Sequence, residues 1–203
     1  MTLLQKARLQ AITVEAKSLF LEKGIDSVTM ADIASHLSIG EASLYRYFGK
    51  KQTLVIDSSI LIWNEIYDML DRTPLKTTGY ENLESFYGLF LDVFQKHPDF
   101  FRFLEEFDGK ILQSAMSNEE LKTYEQTILK FKTVFDQFFQ MGITDGTLKD
   151  SIDKELFYYT TSHSLIGLCK KLATHPHVLS YEANIQPMTQ IACLIQVCLN
   201  YIH

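Results

Sequence analysis

The residues best suited to binding chemistry lie in a short stretch around position 45. As a helix, this stretch has Leu44 and Phe48 on its inner side. Its outer side carries carboxylate, hydroxyl, phenol and guanidinium groups, on Glu41, Ser43, Tyr45, Arg46 and Tyr47. A helix with such an outer face can reach base edges and phosphates in a major groove. The stretch therefore predicts a nucleic-acid contact, provided that the preceding chain holds the helix in place.

A second predicted helix lies directly before it and has to do that positioning. Thr29 is a suitable N-cap, and Asp32 completes a capping box three places later. Apolar or small side chains then repeat at helical spacing, on Met30, Ile33, Ala34 and Leu37. Gly40 interrupts the pattern, and its freedom of backbone angle predicts the turn there. Two short helices joined in this way predict a helix-turn-helix over residues 29–48, although periodicity alone fits a generic helical hairpin equally well.

A further helix is predicted ahead of this pair, over residues 5–23. It carries an apolar stripe and ends at Gly24; the stripe is Leu9, Ile12, Ala16, Leu19 and Phe20. Four motifs follow one another along the chain: A-x-x-L-F-x-x-x-G from Ala16, V-T-M-A-D-I-A from Val28, L-Y-R-Y-F from Leu44 and K-x-x-L from Lys51. In this order and spacing they resemble the DNA-binding domain of the tetracycline-repressor (TetR) family of bacterial regulators. The resemblance covers residues 5–60.

The resemblance implies an all-α protein of nine helices or so, in two domains. Residues 1–50 would form a three-helix DNA-binding domain, and residues 51–203 an effector-binding and dimerisation domain. It also implies a set of DNA contacts: Thr29, Gly40, Glu41, Ala42, Ser43, Tyr45, Arg46, Tyr47, Lys50 and Lys51. In that set Thr29 and its helix N-terminus would face a phosphate, residues 40–43 would enter the major groove, and phenols and lysines would bind phosphates. Arg46 would point either to solvent or to the DNA backbone.

Two departures from the family pattern fall where DNA contact is expected. The family often has a basic residue where this chain has Glu41, and a glycine where it has Ala42. A carboxylate repels phosphate but accepts a hydrogen bond from cytosine N4, and a methyl group either touches thymine or blocks close approach. Glu41 is thus either a solvated carboxylate or a base reader. No operator sequence transfers from a relative.

The charge distribution agrees with this placement despite a formal net charge of −6. Residues 1–56 hold seven basic and five acidic side chains, so the positive part is the part that resembles a DNA-binding domain. Cys169, Cys193 and Cys198 show no C-x-x-C spacing, which favours reduced thiols. The sequence has no signal-peptide core, no apolar run of membrane length and no cofactor motif, so we expect a cytoplasmic protein without a cofactor.

The rest of the chain predicts helices over residues 52–70, 81–96, 100–107, 118–141, 154–174 and 185–202, with loops that include residues 72–79 and 142–150. By resemblance this region encloses an effector pocket. The candidates are its aromatic residues and one histidine: Trp63, Phe86, Phe90, Phe94, Phe103, Phe107, Phe131, Phe135, Tyr159 and His163. Aromatic rows are more often core, but so many rings would suit an apolar or aromatic ligand. His175 and His177 alone make too weak a motif to predict a metal site.

The last two predicted helices are assigned to a dimer interface. In residues 185–202 apolar side chains repeat at steps of 3 and 4, and a second apolar row beside the first makes the face too wide for one neighbour. By resemblance the pair forms a four-helix bundle across a two-fold axis. The candidates are Leu165, Leu168, Leu172, Ile191, Leu194, Ile195, Cys198, Leu199 and Ile202. The alternative is an internal core helix of a monomer.

We therefore expect a homodimeric regulator, most simply a repressor, that binds a palindromic operator and releases it when a small molecule binds the second domain. An enzyme is the competing class. The sequence contains no G-x-S-x-G, H-E-x-x-H or phosphate loop, and Asp153, His163 and Cys169 do not share one helix face. A third class is a protein that kept the fold but binds DNA without sequence preference, which Glu41 and the small positive charge leave open.

Overall fold

The computed structural model describes residues 2–112, 116–175 and 184–203, and His177 of the weak histidine motif lies outside these ranges. Within them the chain forms nine α-helices and one π-helical turn and has no strand, which confirms the all-α prediction. The helices are α1 (Leu3–Lys23), α2 (Met30–His36), α3 (Glu41–Phe48), α4 (Lys51–Asp71), α5 (Gly79–Lys96), α6 (Pro98–Phe107), α7 (Asn118–Asp145), α8 (Lys154–Thr174) and α9 (Pro187–Ile202). The π-helical turn, Asp108–Leu112, directly follows α6.

Internal contacts divide the chain into two compact units. Unit 1 is Met1–Asn64 with Arg102–Glu125, and unit 2 is Glu65–Phe101 with Gln126–His203. Helices α4, α6 and α7 therefore contribute residues to both units. This grouping does not follow the predicted division after residue 50. That division concerns function, and it stays a prediction.

Unit 1 buries the apolar stripe of α1 together with the inner faces of α2 and α3. The buried side chains are Ile12, Ala16, Leu19, Phe20, Ile33, Ala34, Leu44 and Phe48. Full burial of a large apolar side chain contributes roughly 1.5–3 kcal/mol. Because α2 packs against both α1 and α3, this shared core fixes the arrangement of the three helices. Helical spacing selects all eight from the sequence; Leu9 and Leu37, which it also selects, are half-buried.

The turn between α2 and α3 is built differently from the prediction. Gly40 has ordinary extended angles (φ −69°, ψ 134°) and serves as the N-cap of α3. The left-handed residue is Ser38, with φ 52°. The N–H of Ile39 donates to the carbonyl of Ala34 (3.0 Å), and that of Ser38 to the carbonyl of Ser35 (3.1 Å). These two bonds form a Schellman motif, which needs its left-handed residue directly after the helix and so at Ser38.

Several predicted helix boundaries differ from the observed ones by two residues or more. The predicted loop at residues 142–150 begins too early, because α7 continues to Asp145. Gly142 lies inside α7, where it permits close packing: a Cβ atom on Gly79 of α5 would lie 2.0 Å from the Gly142 nitrogen. Asp99 lies in the first turn of α6, which begins at Pro98. The last helix begins at Pro187, and Ile185 precedes it, 50% exposed.

The core of unit 2 is aromatic and is centred on Phe135. Five rings lie with their centroids 4.9 to 6.4 Å from that of Phe135, namely Phe86, Tyr87, Phe139, Phe157 and Tyr158. The Tyr87 hydroxyl is buried and hydrogen-bonded to the Thr161 hydroxyl at 2.7 Å, which satisfies its polar end. Helix α9 packs against α5 and α8 and closes this core.

Candidate nucleic-acid interface

Helix α3 presents to solvent the residue types expected for DNA contact. Leu44 is fully buried and Phe48 is 8% exposed, which anchors one side of the helix. On the other side Gly40, Glu41, Ala42, Tyr45, Arg46 and Lys50 are exposed, and Ser43, Tyr47 and Lys51 are half-buried. Tyr45 is 46% exposed, a high value for a large aromatic ring. An exposed polar and aromatic face on a short, well-anchored helix is the arrangement that groove recognition requires.

Two arginines lie against the ring of Tyr47. The Arg46 guanidinium is 5.4 Å from the ring centroid, and the Arg8 guanidinium, from α1, is 5.3 Å from it. Both distances are within the range of a cation–π contact. The sequence motifs do not identify Arg8, because its place beside α3 depends on how α1 packs. Its positive charge in the N-terminal segment was the only available signal.

The predicted capping box is present at the N-terminus of α2, and its hydrogen bonds engage the Thr29 hydroxyl. That hydroxyl accepts a hydrogen bond from the Asp32 N–H (3.1 Å) and donates one to the Asp32 carboxylate (2.6 Å). The Thr29 N–H also donates to the carboxylate at 2.8 Å. These hydrogen bonds from Thr29 hold the pKa of Asp32 below its ordinary value. The Thr29 hydroxyl is therefore already engaged in the capping box.

Lys51 at the start of α4 acts electrostatically on the same end of α2. It helps to lower the pKa of Asp32, and it also lowers that of Asp26, where the larger cause is the hydrogen bond from Lys110. Lys23 acts on Asp32 in the same direction. Lysines thus offset the two carboxylates beside the predicted phosphate contact, as binding of a polyanion there requires.

Comparison with known proteins agrees with this geometry. Residues 12–57 match the family model described as bacterial regulatory proteins, tetR family. The chain is 25% identical over 155 residues to the uncharacterized HTH-type transcriptional regulator YdeS of Bacillus subtilis, covering 72% of this chain and 70% of that protein. It is 27% identical over 154 residues to the biofilm operon icaADBC HTH-type negative transcriptional regulator IcaR of Staphylococcus aureus, covering 69% and 82%.

The chain belongs to the TetR family. A solved structure of a transcriptional regulator from Saccharomonospora viridis in complex with choline has the same fold, with a TM-score of 0.74 and 16% identity over 98% of both chains. The chain is thus a DNA-binding transcriptional regulator of the TetR family rather than an enzyme. In the described parts of the chain, no helix combines the length and apolar character needed to cross a membrane.

The predicted effector residues of this TetR-family chain fall into both units. Trp63, Phe103 and Phe107 belong to unit 1, and the other seven to unit 2. Within unit 2 the rings of Phe86 and Phe135 pack into the core, whereas Tyr159 and His163 are exposed and lie 6.0 Å apart on α8. The other three residues in unit 2 are Phe90, Phe94 and Phe131; Phe94 and Phe131 are buried, and Phe90 is half-buried.

Two cavities are lined by other residues. In unit 1 an open cavity of about 360 Å³ lies between α4 and the start of α7, lined by Asp57, Glu119, Glu120 and Thr123, among others. Burial, with a contribution from Glu120, raises the pKa of Asp57 to about 6. In unit 2 an open groove of about 360 Å³ is lined by Leu156, Phe157, Val197, Cys198 and Tyr201, with neighbouring residues. None of the ten predicted effector residues lines either one.

Most of the nine predicted interface residues are buried inside unit 2. Seven are buried within the chain (Leu165, Leu172, Ile191, Ile195, Cys198, Leu199 and Ile202), and Leu168 and Leu194 are half-buried. The wide apolar face of α9 is accounted for by two neighbours, α5 and α8. Its solvent side, which we call the uncharged face of α9, consists of Thr189, Ala192, Cys193, Gln196, Val197, Asn200 and Tyr201. Val197 and Tyr201 are 61% and 62% exposed there.

Proposed function

We propose that the protein is a repressor that binds a palindromic operator as a homodimer and leaves it when a small effector binds. The observation that carries the proposal is the exposed face of α3 with Arg8 and Arg46 beside Tyr47. Repression is supported by IcaR, whose description is that of a negative transcriptional regulator.

The roles of individual DNA contacts follow from where the side chains lie. Glu41, Ala42 and Ser43, in the first turn of α3, would face base edges. Tyr45, Tyr47, Lys50 and Lys51 would bind phosphates, together with the N–H groups at the start of α2. Arg8 and Arg46 join the phosphate-binding group, because their guanidinium groups flank the Tyr47 ring.

Dimerisation would use the solvent side of α8 and α9 in place of the apolar rows. The uncharged face of α9 has no acidic or basic side chain, and Leu156 and Tyr159 on α8 are 67% and 46% exposed. An exposed helix face without charge is disfavoured on a monomer and typical of the core of a protein interface. Two copies related by a two-fold axis would each present one α3 to a half-site of the operator.

The effector would be small and apolar or aromatic, in keeping with the ring-rich interior of unit 2. The choline-bound structure from Saccharomonospora viridis shows that this fold can hold a small organic molecule. The ligand would act by preferring a conformation in which the two α3 helices no longer match successive major grooves. The shift it produces can be no larger than its preference for that conformation.

A selection from a library of random DNA duplexes tests the proposal. The purified full-length chain should enrich a two-fold-symmetric sequence with half-sites one helical turn apart, or a multiple of one turn. Binding with a normal salt dependence but no enriched sequence would instead favour the non-specific class. Fluorescence anisotropy with the enriched duplex then tests choline, aromatic acids and medium-chain fatty acids. A compound that binds the protein without changing its DNA affinity would contradict the coupling.

A further inference from the structure

The loop that leads from α1 into α2 is held by the end of α6. The N–H of Ile25 donates a hydrogen bond of 2.8 Å to the Glu106 carboxylate, although 81 positions separate the two residues. Gly24 makes room for this contact: its φ is +85°, and a Cβ atom there would lie 2.8 Å from a carboxylate oxygen of Glu106. All three residues lie within unit 1. A part-buried hydrogen bond from a backbone N–H to a carboxylate is charge-assisted and stronger than one between two neutral groups.

Lys110 adds a second connection to the same loop. It lies in the π-helical turn Asp108–Leu112, where its ammonium group pairs with the Asp26 carboxylate and lies 3.8 Å from that of Glu106. Asp26 is the more exposed partner, with 71% of its side chain accessible, against 42% for Lys110 and 31% for Glu106. Exposed ion pairs are weak, so Glu106 is the stronger of the two connections.

The loop held in this way leads directly to the DNA side of the molecule. Asp26 lies three positions before Thr29, the N-cap of α2, and Lys51 acts on the same Asp26 carboxylate. Ile25 and Val28 are buried, 3% and 1% exposed, which fixes the loop on its inner side. On its other side, Glu106 holds the loop backbone at Ile25, and Lys110 pairs with the Asp26 carboxylate.

We propose that Glu106 and Lys110 are positioning residues for DNA binding, although both lie more than 50 positions beyond the helix-turn-helix. Glu106 holds the loop backbone so that the N-terminus of α2 meets a phosphate. Lys110 neutralises the Asp26 carboxylate, which would otherwise repel that phosphate. Neither side chain touches DNA. This inference rests on the proposed function, because it concerns how the same surface is held ready.

The test compares four variants of the full-length protein with the wild type. Glu106→Ala removes the acceptor, Glu106→Gln keeps an oxygen acceptor without the charge, and Lys110→Met keeps most of the side chain without the amine. Glu125→Ala is the control, because it removes one carboxylate from an exposed position on α7 in the same unit. The measurements are affinity for the enriched duplex at several salt concentrations and hydrogen exchange of the Ile25 amide in the free protein.

Glu106→Ala should bind the duplex roughly tenfold more weakly, because one charge-assisted hydrogen bond no longer favours the binding-competent loop. The Ile25 amide should exchange faster, and Glu106→Gln should restore most of both properties. Lys110→Met should weaken binding about threefold with an unchanged salt slope. The control should bind at least as tightly as the wild type.

Three results would overturn the inference. If Glu106→Ala behaves like Glu125→Ala in both measurements, Glu106 is not a positioning residue. If the salt dependence of DNA affinity falls by about one in Lys110→Met, Lys110 contacts a phosphate directly and is not a positioning residue. If the wild type enriches no duplex, the proposed function fails and the role in DNA binding fails with it. In that case the exchange of the Ile25 amide still shows whether Glu106 holds the loop.

Discussion

Helices α3 and α9 differ in which of their residues remain available to a partner. In α3 the residues on the outer side of the predicted helix are exposed, and Leu44 and Phe48 are buried as expected. In α9 the apolar rows that suggested an interface are mostly buried against the same chain, and the exposed side is the uncharged face. In a short helix with one buried side, the pattern of apolar residues identifies the exposed side directly. A helix that packs against two neighbours buries its apolar residues within the chain, so that only its remaining, exposed side is available to a partner.

A carboxylate on the uncharged face of α9 should disrupt the proposed dimer. Val197→Asp should raise the dimer dissociation constant by more than about a hundredfold, because a two-fold axis buries the unpaired carboxylate twice. Sedimentation velocity over a range of concentrations measures this, and affinity for the palindromic duplex should fall with it. Leu129→Asp is the control, since Leu129 is 52% exposed on α7. Equal dimerisation of the two variants would place the interface elsewhere.

The contact between α5 and α7 tests how far unit 2 depends on close packing. Gly79→Ala should lower the free energy of unfolding by roughly 3 kcal/mol or more, because the added methyl meets backbone atoms of Gly142 that cannot move aside. Gly88→Ala on α5 has nothing within 4 Å of the added atom and should be neutral or stabilising by up to about 1 kcal/mol. Denaturant unfolding of both variants is the measurement. Similar midpoints would contradict the close approach.

In the predicted DNA-binding surface, two substitutions should distinguish a phosphate contact from a base contact. Lys51→Ala should weaken binding to all duplexes by about the same factor and reduce the salt slope by about one. Ser43→Ala should leave the slope unchanged and alter which bases are enriched, because its position in the first turn of α3 is assigned to base edges. Repeating the duplex selection with each variant measures the difference. If the two variants behave alike, the assignment of phosphate and base contacts is wrong.

In both units the sequence predicts local features better than packing between helices, for physical reasons. Capping at Thr29 and Asp153 depends on residues three positions away, so both caps can be found by local pattern alone. The place of Arg8 beside Tyr47 depends on packing between helices, which no local pattern contains. Gly142 shows the same limit, because a glycine that ends a helix and one that permits close packing look alike in sequence.

The aromatic residues show the limit most clearly. The spacing of Phe86 and Phe135 marks them as inward-facing, and both are buried. Whether an inward ring fills a core or lines a ligand site depends on the space left between helices, and the sequence does not contain that space. The prediction places Tyr159 and His163 with these rings, yet both are exposed, because their side of α8 faces away from the core.

The last prediction concerns Asp57, a carboxylate in unit 1 whose effect on the free energy of unfolding depends on pH. Its pKa in the folded chain, about 6, lies above the ordinary value of 3.8, since burial and the Glu120 carboxylate disfavour the charged form. Folding therefore favours the protonated form. Below pH 4 Asp57 costs nothing, and as the pH rises through 6 the folded chain loses stability.

Asp57→Asn should remove this loss. After allowance for the part of the side chain that solvent reaches, the gain in unfolding free energy should be roughly 1–2 kcal/mol at pH 7.5 and near zero at pH 4. Denaturant unfolding at the two pH values measures it, with Glu119→Gln as the control, because Glu119 lines the same cavity but is exposed. A gain of equal size at both pH values would show that the amide acts through packing or hydrogen bonding. Asp57 would then not be the carboxylate whose ionisation lowers the stability of the folded chain as the pH rises.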